Sequence, residues 1–322
     1  MADKKRVLIP IPVKPAAEEY LTERGYEVVS DTPTDEAWLK EHIGGFDAAI
    51  IRGTPITESI LAAGLPRLRL IVRHGIGCDN VDVAAATRLG IQVTFTPAAS
   101  INAVAEHTMA LILALAKEII PGSRMTKAGQ WRDFRRDYEG VELMSATLGL
   151  IGVGRIGSNV AKAAAYGFGM KVIAFDPYAN PDTTDPCIEL VGSREAVLER
   201  ADFVSVHMPL TPETRGSIDR EFFSHMKNGA FFINSARGEI VNEQDLAQAL
   251  RNGDIRGAAL DVYCTEPLPA DNLFKDLDNV ICSAHFATIT GATQDRLALH
   301  SAISVDEVLS GGKISWPVNH LS

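Results

Sequence analysis

Residues 147–177 read TLGLIGVGRIGSNVAKAAAYGFGMKVIAFDP. An apolar run reaches a glycine cluster, an alanine-rich helical stretch follows, and a second apolar run ends at Asp176. Gly152, Gly154 and Gly157 form G-x-G-x-x-G between that first strand and the helix, and Asp176 stands about 20 residues further on. The three glycines do different things. Gly152 permits the tight turn, Gly154 lets a pyrophosphate approach the backbone, and Gly157 lets the helix pack on the sheet. The N–H groups of Arg155 and Ile156 open the helix, where the positive dipole end favours phosphate. Asp176, followed by Pro177, would accept hydrogen bonds from ribose hydroxyls and repel a 2′-phosphate, so the expected cofactor is NAD rather than NADP.

Outward from this unit, five later segments read as strands: KVIAFDP, FVSVHMP, AFFINSA, GAALDVY and VICSAHF. With TLGLIGVG they give six strands joined by crossover helices, a complete dinucleotide-binding sheet. The first hundred residues alternate strand and helix in the same way, from RVLIP to IQVTFTP. Gly25, Gly64 and Gly90 are expected as left-handed helix caps. A long helix is expected from the N-cap Ser100 to Ile120, stopped by Pro121, with a charged loop, AGQWRDFRRDYEG, after it. The tail TQDRLALHSAISVDEVLSGG reads as a helix that returns to the first domain. The fold expected is α/β with two doubly wound parallel-sheet domains and a cleft between them. Residues 1–100 and 290–322 form a flavodoxin-like substrate-binding domain, and residues 101–289 a Rossmann domain that binds NAD.

Composition narrows the function. The chain has 322 residues, 46% hydrophobic and 22% charged, with a formal net charge of −10. No long basic run is present, which argues against nucleic acid, and an acidic surface must build any anion site locally. Cys78, Cys187, Cys264 and Cys282 are widely spaced with no CxxC pair, which argues against structural zinc and fits a reducing cytoplasm. The start MADKKRVLIPIPVKP lacks the apolar run of a signal peptide. AVAEHTMALILALAKEII carries charges at both ends and reads as a buried helix, not a membrane span. We therefore expect a cytoplasmic protein with no metal, no membrane partner and a small-molecule substrate.

The chemistry gathers at strand ends, where open α/β sheets bind ligands. Arg237 follows FFINSA, Glu266 follows ALDVYCT and His285 follows VICSA. Alone, Arg237 reads as a surface cap, Glu266 as a helix-entry carboxylate before Pro267, and His285 as a satisfied core histidine. Together they match what reduction of a 2-oxo acid needs: a guanidinium fork for carboxylate and carbonyl, and an imidazole acid held by a carboxylate. In AFFINSARGEIVN, Asn234 and Ser235 are expected to mark the end of burial and Gly238 to turn the backbone away behind Arg237.

The segments RHGIGCDNVD, LGLIGVGRIG, VSVHMPLTPETRG, INSARGEIVNEQDL, ALDVYCTEPLP and SAHFATIT resemble the D-isomer-specific 2-hydroxyacid dehydrogenase family over nearly the whole chain. The resemblance implies an NAD-dependent oxidoreductase interconverting a small 2-hydroxy acid and its 2-oxo acid. It implies Arg237, Glu266 and His285 as the catalytic set, Asp261 near the nicotinamide, and His207, Pro209 and Thr214 along the cofactor, with Ser235 and Ala236 beside them. It further implies the backbone of His74, Gly75, Ile76 and Gly77 against the substrate carboxylate, and a homodimer joined through the cofactor domains. Ala284 stands where the family often has proline, Cys264 and Thr265 replace common charged residues, and LMSATLG replaces the usual lead-in.

Arg52 in AAIIRGTPIT, with VRHGIG, most resembles the 3-phosphoglycerate dehydrogenase branch, and Arg52 is a candidate for a second anionic group; a structural loop contact is the alternative. No added regulatory domain is expected after PVNH. Hydroxypyruvate or glyoxylate reduction is the neighbouring reading, and an NAD-sensing corepressor-like binding protein is the alternative from another class. Formate dehydrogenases share the architecture but resemble a pattern with Gln where Glu266 stands. His107 is expected to make a structural hydrogen bond, with the active-site wall as the alternative. Cys78 reads as a small buried filler. Arg132, Arg135 and Arg136 read as a solvated face, with contact to a partner subunit's cleft as the alternative.

Overall fold

The computed structural model describes residues 4–321. The described chain divides into two units: one runs through Ser100 and resumes at Thr288, and the other is Ile101–Ala287.

In the first unit the strands are β1 (Arg6–Ile9), β2 (Glu27–Ser30), β3 (Ala48–Ile51), β4 (Leu70–Arg73) and β5 (Gln92–Phe95). Between them run α1 (Ala16–Glu23), α2 (Glu36–His42), α3 (Glu58–Ala63) and α4 (Val83–Arg88). All pairings are parallel, in the order β2-β1-β3-β4-β5. That is the flavodoxin-like order. Leu8, Ala49, Ile51, Ile71 and Val93 face one buried layer; Val7, Ile9, Ala48, Ile50 and Val72 face the other. Burial on both faces is why β3 and the first three residues of β4 are continuous apolar runs without alternation.

The second unit begins with α5 (Ile101–Ala116), α6 (Ile119–Lys127) and α7 (Trp131–Asp137). Its strands are β6 (Thr147–Ile151), β7 (Lys171–Phe175), β8 (Ile188–Leu190), β9 (Phe203–Val206), β10 (Phe231–Asn234), β11 (Gly257–Leu260) and β12 (Val280–Cys282). Helices α8 (Arg155–Lys162), α9 (Arg194–Leu198), α10 (Arg220–His225) and α11 (Glu243–Asn252) connect them. The sheet is parallel throughout, ordered β12-β11-β10-β9-β6-β7-β8. Phe231 and Ile233 enter one core layer and Phe232 the other, so alternate residues of β10 face opposite helix layers. Each such fully buried side chain contributes roughly 1.5–3 kcal/mol. The last helix, α12 (Gly291–Ser310), belongs to the first unit, where Ala298, Ala302, Val305 and Leu309 close one face of its sheet.

Several local expectations are corrected. The long helix does start after Ser100, but it ends at Ala116, and Pro121 does not stop it. The chain takes a left-handed step at Glu118 (φ 51°), whose carboxylate Arg256 holds at 2.9 Å. Pro121 then sits in the first turn of α6, where a missing N–H is harmless. The charged stretch after it is not all loop. It contains α7, which packs Phe134 over Gly122 and carries an Asp133–Arg136 pair at 3.0 Å. Gly25 and Gly90 have positive φ, whereas Gly64 is right-handed (φ −73°); its glycine is needed because a Cβ would lie 2.6 Å from Leu68. Finally, the sheet has a strand that pattern reading passes over: β8, Ile-Glu-Leu, is three residues long and too short to give a periodic signal.

Candidate active site

The glycine turn follows β6. Gly152 adopts φ 98°, and a Cβ there would lie 2.9 Å from the His207 carbonyl carbon. A Cβ on Gly157 would lie 2.4 Å from the Gly152 oxygen, so helix and turn touch through bare backbone. Gly154 differs from both: it is exposed, and a Cβ would meet nothing within 4 Å. Its open side is the cradle a pyrophosphate needs. Gly154 is also the N-cap of α8 and offers no capping side chain, leaving first-turn N–H groups such as those of Arg155 and Ile156 for a ligand. Asp176 closes the motif: Oδ2 accepts the Val153 N–H at 2.9 Å and Oδ1 accepts the Tyr178 N–H at 2.9 Å. Those bonds hold the carboxylate against the turn with lone pairs to spare for two hydroxyls, and Pro177 beside it is exposed. The residues present therefore fit a dinucleotide.

His207, at the end of β9, lies beneath the turn. It hydrogen-bonds Ser205 Oγ at 2.9 Å, and burial pushes its pKa down to about 4, so the imidazole is neutral near pH 7. Thr214 donates to the Pro209 carbonyl at 2.7 Å and accepts the Thr211 N–H at 2.8 Å, which shapes the loop between them.

Arg237, Glu266 and His285 come together. They line one cleft of about 220 Å³ with Gly238, Glu239 and the segment Val262–Cys264. His285 Nδ1 lies 2.8 Å from Glu266 Oε2, and Glu266 Oε1 accepts the Tyr263 N–H at 3.0 Å. Burial pushes the Glu266 carboxyl upward, but the His285 bond and the Tyr263 N–H outweigh it and hold the group below its ordinary value. His285 itself has φ 49°, an uncommon conformation for a residue with a side chain.

In AFFINSARGEIVN one structural detail agrees with the expectation and another revises it. Full burial ends between Asn234, which is 1% exposed, and the half-buried Ser235. The Asn234 amide donates to the Arg237 carbonyl at 2.9 Å and its oxygen accepts the Ala236 N–H at 3.0 Å, folding the chain so that Arg237 emerges. Gly238 has no positive φ to supply a turn; a Cβ there would lie 1.9 Å from the Tyr263 carbonyl carbon. It is glycine so that the Arg237 and Glu266 segments can pack directly.

Asp261 is 1% exposed. It accepts from Ser283 Oγ at 2.6 Å, from the Phe286 N–H at 2.8 Å and from the Ala287 N–H at 3.1 Å, and His107 Nε2 lies 3.2 Å away. Burial raises its pKa, but these donors prevail and keep it below the ordinary value. His107 therefore makes the structural hydrogen bond expected of it. Sequence reading missed Tyr263, Ser283 and Thr108. Tyr263 Oη sits 2.8 Å from the Ser283 carbonyl, and Thr108 Oγ1 sits 2.9 Å from Ser235 Oγ. For Tyr263 and Ser283 the available signal was a polar side chain just past an apolar strand; Thr108, inside α5, gave none.

The remaining candidates lie in the first unit, apart from three arginines of α7. Arg52 is half-buried at the end of β3, and its carbonyl accepts from Asn80 at 3.0 Å. The N–H of His74 is donated to the Ile51 carbonyl and that of Gly75 to Thr96 Oγ1, at 2.8 and 2.9 Å. The His74 side chain turns inward to Ser301 at 3.1 Å. Burial, then the charges of Arg52 and Arg73, push its pKa down to about 3. On α7, Arg132, Arg135 and Arg136 are exposed; Arg136 pairs with Asp133 and Asp137, and Arg135 lies over Trp131.

Comparison with known proteins adds the family. The model of the D-isomer specific 2-hydroxyacid dehydrogenase NAD-binding domain matches residues 109–287. D-3-phosphoglycerate dehydrogenase of Mycobacterium leprae is 40% identical over 274 residues, covering 85% of this chain and 51% of that protein. The enzyme of that name from Methanocaldococcus jannaschii is 40% identical over 308 residues, covering 95% and 58%. The chain thus spans about half the length of the curated relatives it matches. The crystal structure of the TT0316 protein from Thermus thermophilus superimposes with a TM-score of 0.90 at 35% identity, covering 98% of this chain and 100% of that one. Among the described residues, no helix is long and apolar enough to cross a membrane. With more than half of its length matched by the family model and the glycine turn, Asp176 and the strand-end residues in place, the chain belongs to the D-isomer specific 2-hydroxyacid dehydrogenase family.

Proposed function

We propose that this chain is an NAD(H)-dependent oxidoreductase that interconverts a small 2-hydroxy acid and its 2-oxo acid, with a 3-phosphoglycerate-like compound as the preferred substrate. The observation that carries the reading is the Glu266–His285 hydrogen bond of 2.8 Å in a cleft that Arg237 also lines. Arg237 offers its guanidinium to the substrate carboxylate and the adjoining carbonyl oxygen. Glu266 binds Nδ1 of His285 and so leaves Nε2 as the atom that gives a proton to the developing alkoxide, or takes one in the oxidative direction. When bound at the glycine turn, NADH supplies the hydride. Asp176 accepts the ribose hydroxyls and disfavours a 2′-phosphate, hence NAD rather than NADP.

In the first unit, the N–H groups of His74 and Gly75 are already engaged, so Ile76 and Gly77 are the backbone donors of that loop assigned to the carboxylate. Arg52 is assigned to a second anionic group, a reading supported by the names of the relatives at 40% identity. A homodimer through the second unit is supported by Ile119, Ile120, Trp131, Tyr166 and Phe168, all exposed there, and by an apolar groove between α5 and α8. The cysteine spacing supports a cytoplasmic setting. The test is a panel of 2-oxo acids with NADH, followed by absorbance. Oxidation by 3-phosphohydroxypyruvate in preference to glyoxylate and hydroxypyruvate supports the reading. Tight NADH binding with no oxidation by any oxo acid would make the chain an NAD-sensing binding protein instead.

A further inference from the structure

We propose that His107 and Thr108, adjacent on α5, are positioning residues that hold the loops bearing His285 and Arg237. The inference rests on the active-site reading above. Consecutive helix residues point about 100° apart, so one dipeptide can reach two different loops.

His107 reaches the first loop. Its Nε2 lies 3.2 Å from Asp261 Oδ1 and 3.3 Å from Ser283 Oγ. Asp261 has only acceptors to offer, and the Ser283 hydroxyl donates to Asp261 at 2.6 Å, so Nε2 must carry the proton. This is not a nucleophilic triad: serine and histidine both donate to the aspartate, and no base faces the serine. The cluster instead fixes Asp261, which grips the N–H groups of Phe286 and Ala287 at 2.8 and 3.1 Å. Those two residues directly follow His285, whose left-handed backbone (φ 49°) is costly for a residue with a side chain and persists only where the surroundings hold it. His107 thus acts on the acid–base histidine through Asp261.

Thr108 reaches the second loop. Its hydroxyl donates to the Val104 carbonyl at 2.8 Å, so at 2.9 Å from Ser235 it accepts that serine's proton. Ser235 lies two residues before Arg237, on the segment that Asn234 folds. A single rigid helix therefore sets both the guanidinium arm and the imidazole arm.

The experiment compares wild type, His107→Leu, His107→Gln and Thr108→Val by backbone amide exchange, NADH binding and steady-state kinetics. Leucine removes the donor, whereas glutamine keeps an N–H near the Nε2 position. Exchange across residues 283–287 should rise about 10-fold in His107→Leu and return toward wild type in His107→Gln. In the same leucine variant, kcat should fall about 10- to 100-fold with KM and the NADH dissociation constant nearly unchanged. Thr108→Val should lower kcat several-fold and speed exchange at Ser235–Arg237 without affecting 283–287. Wild-type exchange and kcat in His107→Leu, or a uniform loss of protection that glutamine does not rescue, overturns the proposal. Should wild type reduce no 2-oxo acid, the reaction assigned above fails, while the exchange data still decide whether His107 and Thr108 hold the two loops.

Discussion

His285 Nδ1 lies 2.8 Å from Glu266 Oε2, and the geometry of that pair depends on Gly238, which packs against the backbone of Tyr263. Glu266 is held by the Tyr263 N–H, and the Tyr263 carbonyl carbon lies 1.9 Å from where a Gly238 Cβ would stand. Gly238→Ala must therefore push the Glu266 segment away from the Arg237 segment. The expected loss is roughly 1–3 kcal/mol of stability from overpacking and about 100-fold in kcat/KM from the displaced pair. Denaturant unfolding and steady-state kinetics on the variant check both numbers.

Arg237→Lys keeps the charge and loses the fork. A lysine is a single point charge and cannot bind carboxylate and carbonyl oxygens side by side. A fall of about 100-fold or more in kcat/KM is expected, with NADH binding unchanged. Near-wild-type turnover would return Arg237 to a structural role at the end of β10.

Arg52→Ala separates the substrate classes. If Arg52 holds a second anion, the substitution raises KM for 3-phosphohydroxypyruvate about 10- to 100-fold and leaves glyoxylate nearly untouched. Equal effects on the two substrates would leave Arg52 as a loop residue whose carbonyl anchors Asn80.

His74 makes acid stability a second, independent test. Its folded pKa is lowered from 6.5 to about 3, so the unfolded chain binds the proton more readily. The stability due to its neutral form is complete above pH 6.5 and is lost as pH falls, by up to about 1.4 kcal/mol per pH unit, levelling near the folded value. His207, lowered to about 4 by burial, adds a similar trend in any variant that retains it. His74→Asn keeps a donor for Ser301 and removes the titration. Its melting temperature should fall less steeply than wild type between pH 6.5 and 4, and parallel curves would contradict the assignment.

Much of this was legible in the chain. The strand-turn-helix of residues 147–177, the alternation of the first hundred residues and the return of the tail all follow from period and punctuation, and the structure has them. The strand-end position of Arg237, Glu266 and His285 was readable because parallel strands gather their C-terminal ends. What pattern could not give was reciprocal packing. Pro121 looks like a stop until Glu118 is seen to break the helix before it, and β8 is too short to show a period. Gly238 looked like a turn residue because its real constraint, the Tyr263 backbone, is distant in sequence. The network of Asp261, Ser283 and His107 joins three separate segments, and no local window contains it.

In the function proposed above, His285, held by Glu266, moves the proton that accompanies hydride transfer. Single-turnover mixing of the NADH-loaded protein with 3-phosphohydroxypyruvate, wild type against His285→Ala, tests it most directly. NADH oxidation is expected in wild type, with a rate lowered about 100- to 10,000-fold in the variant and NADH affinity unchanged. Equal rates in the two proteins would contradict it.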